Sequence, residues 1–145
     1  MQTFLPIADF RRSAECLDNR RLGKQRVEVL QIYNALTGKK TGWYHHPAVQ
    51  MWLTFEEALL QYGMTCCDVW SERGFKDSVW FQLYLERKSK DEPKMPPWFG
   101  LERFHSSHRS NLLRKDKDHY GKFGWTENPY ISYYWPLYNE SKGLS

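Results

Sequence analysis

The apolar positions between Pro47 and Gly74 recur at alternating spacings of four and three residues. This spacing places side chains on one face of an α-helix, so we predict a helix that begins at Pro47 and ends before Gly74. Packing in a core is the ordinary role of such a face. The apolar positions are Ala48, Trp52, Phe55, Leu59, Tyr62, Cys66 and Val69.

The same kind of pattern predicts three further helices. The first runs from Ser13 to Thr37, with Gly38 as its stop, and the others cover residues 76–90 and 102–115. The chain then changes to short turns and aromatic residues. We therefore expect a mainly α, compact single-domain bundle of three to five helices with an irregular aromatic-rich C-terminal segment. Residues 1–138 would form the domain and residues 139–145 a flexible tail.

Composition excludes several classes of protein. Of the 145 residues, 17% are aromatic and 26% are charged, and the formal net charge is +4, so the chain is not intrinsically disordered as a whole. A run of 18 apolar residues is missing, and an acid and two arginines closely follow the short apolar start. These features exclude a membrane span and a signal peptide. Adjacent Cys66 and Cys67 disfavour a disulfide and favour a reducing compartment.

A cluster of cations surrounds one carboxylate in the first predicted helix. Four cations lie between Arg20 and Arg26, and Glu28 follows Lys24 at a spacing that shares a helix face. Nearby positive charge keeps a carboxylate ionised, and such a group can stabilise a developing cation or receive a proton beside bound phosphates. The alternative is a solvated face with ordinary ion pairs. Arg26 falls among apolar positions, so we expect an acid partner, a cleft, or a stem that follows the helix edge.

Histidines form two further candidate sites. His45 and His46 precede Pro47 at a predicted helix N-terminus, where two imidazoles could face an anion. His105 and His108 have a spacing that could chelate a metal ion. Because no Cys–His arrangement has zinc-like spacing, we predict no metal site.

The segment from Arg103 to Lys122 carries six cations and two acids. Its net charge of +4 equals that of the whole chain. Cations bind phosphates and aromatic rings stack on bases, so this segment is typical of a nucleic-acid surface. A basic surface helix followed by core aromatic residues is the alternative. The predicted DNA contacts are Arg21, Arg26, His45, His46, His105, His108, Arg109, Arg114, Lys115, His119, Tyr120, Lys122 and Trp125.

Three motifs give the chain a resemblance to a known family. They are LDxxRLGKQRVE from Leu17 to Glu28, GWxHHPA from Gly42 to Ala48, and FHxSHRSxLLRK from Phe104 to Lys115. With these motifs and its MQTFLP start, the chain resembles a bacterial branch of the pyrimidine-dimer DNA glycosylase (phage endonuclease V-like) family. The resemblance covers roughly residues 1–136.

The resemblance implies a mostly α domain that flips a nucleotide out of double-stranded DNA and breaks its N-glycosidic bond without a cofactor. In this family an amine attacks the sugar C1′ and forms an imine, a carboxylate on the first long helix assists, and β-elimination can cut the strand. Glu28 matches that carboxylate. Since the bulk of Gln2 ordinarily retains Met1, the nucleophile is the Met1 amine, Lys24 or a water molecule.

We therefore expect a monomeric DNA N-glycosylase that excises a damaged or modified base, with or without AP-lyase activity. Its partner would be double-stranded DNA, and its location cytoplasmic and nucleoid-associated. The alternative is a non-catalytic basic DNA- or RNA-binding domain, which would not need Glu28. Processing of free nucleosides fits less well because it would not require so broad a basic surface.

Overall fold

The computed structural model describes residues 1–38 and 42–137. These residues form seven α-helices and one short 3-10 helix, without a strand in the described ranges. The mainly α class is confirmed, with more helices than the three to five predicted. The helices are α1 Phe10–Cys16, α2 Asn19–Leu36, α3 Pro47–Gln50, α4 Glu56–Glu72, α5 Trp80–Glu86, α6 Glu102–Lys115 and α7 Lys117–Tyr120, followed by the 3-10 helix Gly121–Phe123.

Of the additional helices, α7 lies where short turns were expected, and two arise because two predicted helices are interrupted. The first is broken at Leu17, whose backbone is extended, and the Asp18 side chain then caps α2 by accepting from the Arg21 N–H at 3.4 Å. The second is broken between α3 and α4, where Thr54 has a φ of 70°. A β-branched residue rarely adopts this left-handed conformation, so apolar spacing alone could not reveal the break.

The two remaining helix predictions differ in accuracy. The helix expected over 102–115 matches α6 at both ends, whereas the helix expected over 76–90 shortens to α5. Before α5, Asp77 accepts backbone N–H groups from Val79 and Trp80 at 3.2 and 2.8 Å, so residues 77–79 form a cap rather than a helical turn.

Helices α2, α4 and α5 meet at Gly63, which is buried in α4. A Cβ atom at Gly63 would lie 2.5 Å from Val29 Cγ1 of α2 and 2.8 Å from Leu83 Cδ1 of α5. These separations are far below van der Waals contact, so the close approach of the three helices requires glycine at this position.

The chain begins with an extended segment, residues 1–9, which we call the N-terminal segment. Residues 2–6 of it are buried although they pair with no strand. Buried backbone N–H and C=O groups need partners, so helices α2, α4 and α6 must supply them from side chains. This requirement determines where the start of the chain lies.

The C-terminal part of the described chain is irregular and aromatic, as predicted, and lies along α6. Ser107 Oγ accepts the Tyr134 N–H at 3.0 Å, and Ser110 Oγ accepts the Ile131 N–H at 3.0 Å. Short polar side chains on α6 thus anchor a segment without its own secondary structure. The predicted tail at 139–145 lies outside the described residues, and the domain boundary at 138 stays a prediction.

In the described parts of the chain, no helix has the length and hydropathy to cross a bilayer.

Replacement of Gly63 by alanine tests the three-helix contact. We expect Gly63→Ala to lower the free energy of unfolding by about 1–3 kcal/mol, because the added methyl group must displace Val29 or Leu83. Urea denaturation measures the change. The matched control is Gly121→Ala, since Gly121 has a φ of −64° and open space at its Cβ position. Equal stabilities of the two variants would contradict the proposed contact.

Candidate active site

Gln25 of α2 binds the first part of the N-terminal segment. Its Oε1 accepts the Phe4 N–H at 2.7 Å, and its Nε2 donates to the Gln2 carbonyl at 2.8 Å. The residue is fully buried, so both bonds lie out of water. One amide side chain thereby replaces the strand partner that residues 2–4 lack.

Two histidines of α6 bind the next residue of the segment. The Leu5 N–H donates to His108 Nδ1 at 3.0 Å, and the Leu5 carbonyl accepts from His105 Nδ1 at 2.7 Å. His105 Nε2 in turn accepts the Gly100 N–H at 2.9 Å, which assigns the proton of a neutral His105 ring to Nδ1. Burial lowers the pKa of both rings, and that of His108 falls to about 3.

Arg109 completes the attachment of the segment. Its guanidinium donates to the Pro6 carbonyl at 2.8 Å and to Glu127 Oε2 at 2.9 Å, and it pairs with Glu102. The Tyr62 hydroxyl of α4 donates to the Phe4 carbonyl. The consequence is a buried N-terminal segment with side-chain partners on α2, α4 and α6.

The structure corrects several predicted DNA contacts. His105, His108 and Tyr120 are at most 2% exposed and bind within the protein, so they present no surface to a strand of DNA. The Tyr120 hydroxyl donates to Asp18 and accepts the Asp18 N–H at 3.2 Å. The prediction treated α6 as a basic outer face, whereas its inner face supplies the partners of the N-terminal segment.

Among the arginines, Arg26 and Arg109 are likewise bound internally, whereas the role of the exposed Arg114 in DNA contact stays a prediction. Arg26 pairs with Asp77, and its guanidinium lies 4.6 Å from the centre of the Trp70 ring, so it has the acid partner that was one of the three expectations. Arg114 is exposed but donates to Asn111 and to the Pro129 carbonyl. These bonds leave Arg26 and Arg109 unsuited to phosphate contact.

The first two residues of the N-terminal segment lie beside Glu28. The Gln2 N–H donates to Glu28 Oε2 at 3.0 Å, and the Met1 nitrogen lies 3.8 Å from the same oxygen. Glu28 is buried, with only 7% of its surface exposed. A buried carboxylate needs compensating donors, and the start of the chain supplies them.

Two adjoining pockets meet at Met1, Lys24 and Glu28, which line both of them. The larger, which we call the Glu28 pocket, has a volume of about 450 Å³. Its walls include the cations Arg20, Arg21, Lys24 and Lys115 and the aromatic residues His46, Tyr133 and Trp135. The smaller pocket has a volume of about 340 Å³ and is bounded by Gln31, Asn34 and Trp43.

The pocket has a strongly cationic wall around a single carboxylate. Partial burial and the neighbouring Arg21 and Arg114 lower the pKa of Lys115, while Glu28 opposes this shift. A wall of this charge suits the binding of phosphate groups. The sequence cluster at residues 20–28 and Lys115 of α6 therefore converge on one site.

His46 and His45 differ in their surroundings. His46 lines the Glu28 pocket and caps α3, with Nδ1 accepting the Ala48 N–H at 3.0 Å. This bond occupies one N–H group at the start of the four-residue helix α3, and the anion site expected there stays a prediction. His45 is exposed and contacts Tyr44 edge to face.

The remaining predicted DNA contacts lie outside both pockets. A ring nitrogen of His119 bonds with the Cys16 carbonyl at 2.9 Å, and Trp125 stacks on Tyr120 and Phe123. Lys122 is exposed, with its ammonium 5.5 Å from the Phe123 ring. For His119, Lys122 and Trp125 the role in DNA contact stays a prediction.

Sequence reasoning missed the pocket residues Gln2, Tyr133 and Trp135. They carry no charge and obey no spacing relative to Glu28, so no local signal marks them. Within the described residues, no group of three histidines, cysteines or acids is arranged to hold a metal ion.

The buried state of His108 predicts a pH-dependent stability. Its pKa falls from 6.5 to about 3 on folding, so between these values the unfolded chain binds a proton that the folded chain does not. The free energy of unfolding should therefore fall as the pH drops below about 6, with a slope approaching about 1.4 kcal/mol per pH unit from this residue. Urea denaturation across this range measures the slope.

A variant that cannot titrate at this position provides the comparison. His108→Asn keeps an acceptor for the Leu5 N–H, and we expect a lower but flatter stability profile. The control His45→Asn alters an exposed ring and should keep the slope of the unaltered protein. An unchanged slope in His108→Asn would show that another group carries the pH dependence.

One family model, described as pyrimidine dimer DNA glycosylase, matches residues 1–82. No curated protein and no solved structure gives a match. The matched residues span more than half of the chain and include the N-terminal segment, Glu28 and His46. The chain therefore belongs to the pyrimidine dimer DNA glycosylase family.

Proposed function

We propose that this DNA glycosylase breaks the N-glycosidic bond of a pyrimidine-dimer nucleotide that is flipped out of double-stranded DNA. In this proposal the Met1 amine is the nucleophile, and Glu28 is the carboxylate that assists it. The observation that carries the proposal is the position of the Met1 nitrogen, 3.8 Å from Glu28 Oε2 in a pocket with cationic walls. Family membership supports DNA as the substrate.

The chemistry follows from the charges at the reacting carbon. As the bond from C1′ to the base breaks, its electron pair leaves with the base, and C1′ becomes positive. An ionised Glu28 stabilises this charge. The Met1 ammonium group first loses a proton to solvent, and the resulting amine forms the new N–C1′ bond. Glu28 then takes a proton from the resulting ammonium group and returns it to O4′ as the sugar ring opens to an imine.

Lys24 is the competing nucleophile because its side chain lines the same pockets. The Met1 nitrogen has the stronger support, since its distance from Glu28 follows from the attachment of the whole N-terminal segment. Lys24 is exposed on α2 and is suited to a phosphate on the strand that carries the lesion.

An imine at C1′ has a further consequence for the reaction. It makes the C2′ protons acidic, and removal of one expels the 3′ phosphate by β-elimination. The proposal therefore includes AP-lyase activity, and the four cations of the Glu28 pocket bind the phosphates on either side of the opened sugar.

Borohydride trapping on abasic DNA tests the nucleophile. Reduction of the imine should give a covalent adduct whose peptide map contains Met1, because Met1 supplies the nitrogen of the imine. A water nucleophile would form no adduct. Lys24→Arg should keep the adduct, and acetylation of the N-terminus should abolish it. An adduct on Lys24 would instead identify that residue as the nucleophile.

Glu28→Gln tests the carboxylate in the same assays. We expect base excision to fall at least about 10²-fold, because the neutral amide neither takes a proton nor stabilises the charge at C1′. The control Glu92→Gln alters an exposed carboxylate outside the Glu28 pocket and should leave the rate unchanged. Normal excision by Glu28→Gln would contradict a catalytic role for Glu28. The cationic surface around it would then serve only to bind DNA.

Base flipping requires a side chain to fill the space that the nucleotide leaves. Trp43 is 52% exposed, lines the smaller pocket beside Glu28, and contacts His46 edge to face at 5.8 Å. Trp125, a second aromatic candidate, is instead stacked on Tyr120 and Phe123. We therefore infer that Trp43 inserts into the duplex.

Trp43→Ala tests this role. Loss of the ring should reduce excision from duplex DNA about 10–100-fold, because stacking on a base contributes about 1–3 kcal/mol. Excision of the same dimer from a single strand should change little, since no duplex has to be opened. The matched control is Phe81→Ala, which removes an exposed ring on α5. An equal loss on both substrates would contradict insertion.

A further inference from the structure

His46 carries a donor that its structural role does not use. Its Nδ1 accepts the Ala48 N–H at 3.0 Å, so in the neutral ring the proton is on Nε2. Capping α3 needs only an acceptor, and asparagine would provide one. The Nε2–H group forms no hydrogen bond with any residue in ranges 1–38 and 42–137.

The surroundings keep this ring oriented and neutral. Trp135 contacts it edge to face, with its ring centre 6.0 Å away. Partial burial and the nearby positive charge of the Met1 amine lower the pKa of His46. The other charged groups lining the pocket are Arg20, Arg21, Lys24, Lys115 and Glu28.

We propose that His46 donates its Nε2–H group to the carbonyl oxygen of the departing pyrimidine, and so acts as a catalytic residue for base release. This inference rests on the proposed function. When the C1′–N1 bond breaks, the electron pair remains on the base, and negative charge spreads from N1 to the adjacent carbonyl oxygen. A donor that is already oriented stabilises that charge more than it stabilises the uncleaved nucleotide.

A neutral donor suits this position better than a cation. A charged imidazolium beside Met1 would repel the positive charge that builds up on the attacking nitrogen. The neutral ring supplies a hydrogen bond without that repulsion, as neutral histidine does at other carbonyl oxygens. No proton is transferred in this step, and the base anion, which stays joined to the second pyrimidine of the dimer, takes its proton from solvent.

The inference predicts a difference between two reactions at the same site. Excision from dimer-containing DNA has a departing base, whereas attack on a preformed abasic site has none. His46→Asn keeps a cap for α3 and removes the Nε2–H group. We expect its kcat for excision to fall about 10²–10³-fold with little change in KM. Borohydride trapping on abasic DNA should keep its unaltered rate.

The control is Phe81→Asn, which changes an exposed ring on α5 outside both pockets and should leave both reactions unchanged. An equal loss in both reactions of His46→Asn would show that His46 acts through the position of Met1, and normal excision would show that it has no role; either result overturns the inference. Unaltered protein that neither excises dimers nor forms an adduct would overturn the proposed function, and this inference with it.

Discussion

The positions of Met1 and Glu28 depend on a buried, extended stretch of backbone that has no strand partner. An N–H or C=O group without a partner in the interior costs about as much as a lost hydrogen bond. Gln25, Tyr62, His105, His108 and Arg109 meet this requirement with side chains. Because these side chains belong to three different helices, the position of the Met1 nitrogen depends on the packing of the whole bundle.

Glu28 links this attachment to the chemistry. The same carboxylate oxygen accepts the Gln2 N–H and faces the Met1 nitrogen, so one group completes the hydrogen bonds of the segment and borders the reactive pocket. A buried carboxylate is costly unless donors and cations surround it. Met1, Gln2, Lys24 and Lys115 supply these around Glu28.

Local patterns in the sequence predicted the helical class, the extent of α6 and the cluster that ends at Glu28. They did not predict the partners of the N-terminal segment, because contacts such as that of Leu5 with His108 join residues about a hundred positions apart. Charge was misleading for a related reason. Arg26 and Arg109 count as cations in any composition, yet each has acidic partners inside the structure. Gln25 and Gln2 carry no charge and gave no signal, although both are essential to the geometry around Glu28.

The sequence separation of these contacts has a consequence for biosynthesis. The N-terminal segment is synthesised about a hundred residues before its partners on α6. Contacts so distant along the chain form late in folding because of the loop that they must close. In a nascent chain the N-terminal segment therefore stays without these partners, and the pocket beside Glu28 is completed only when α6 has packed.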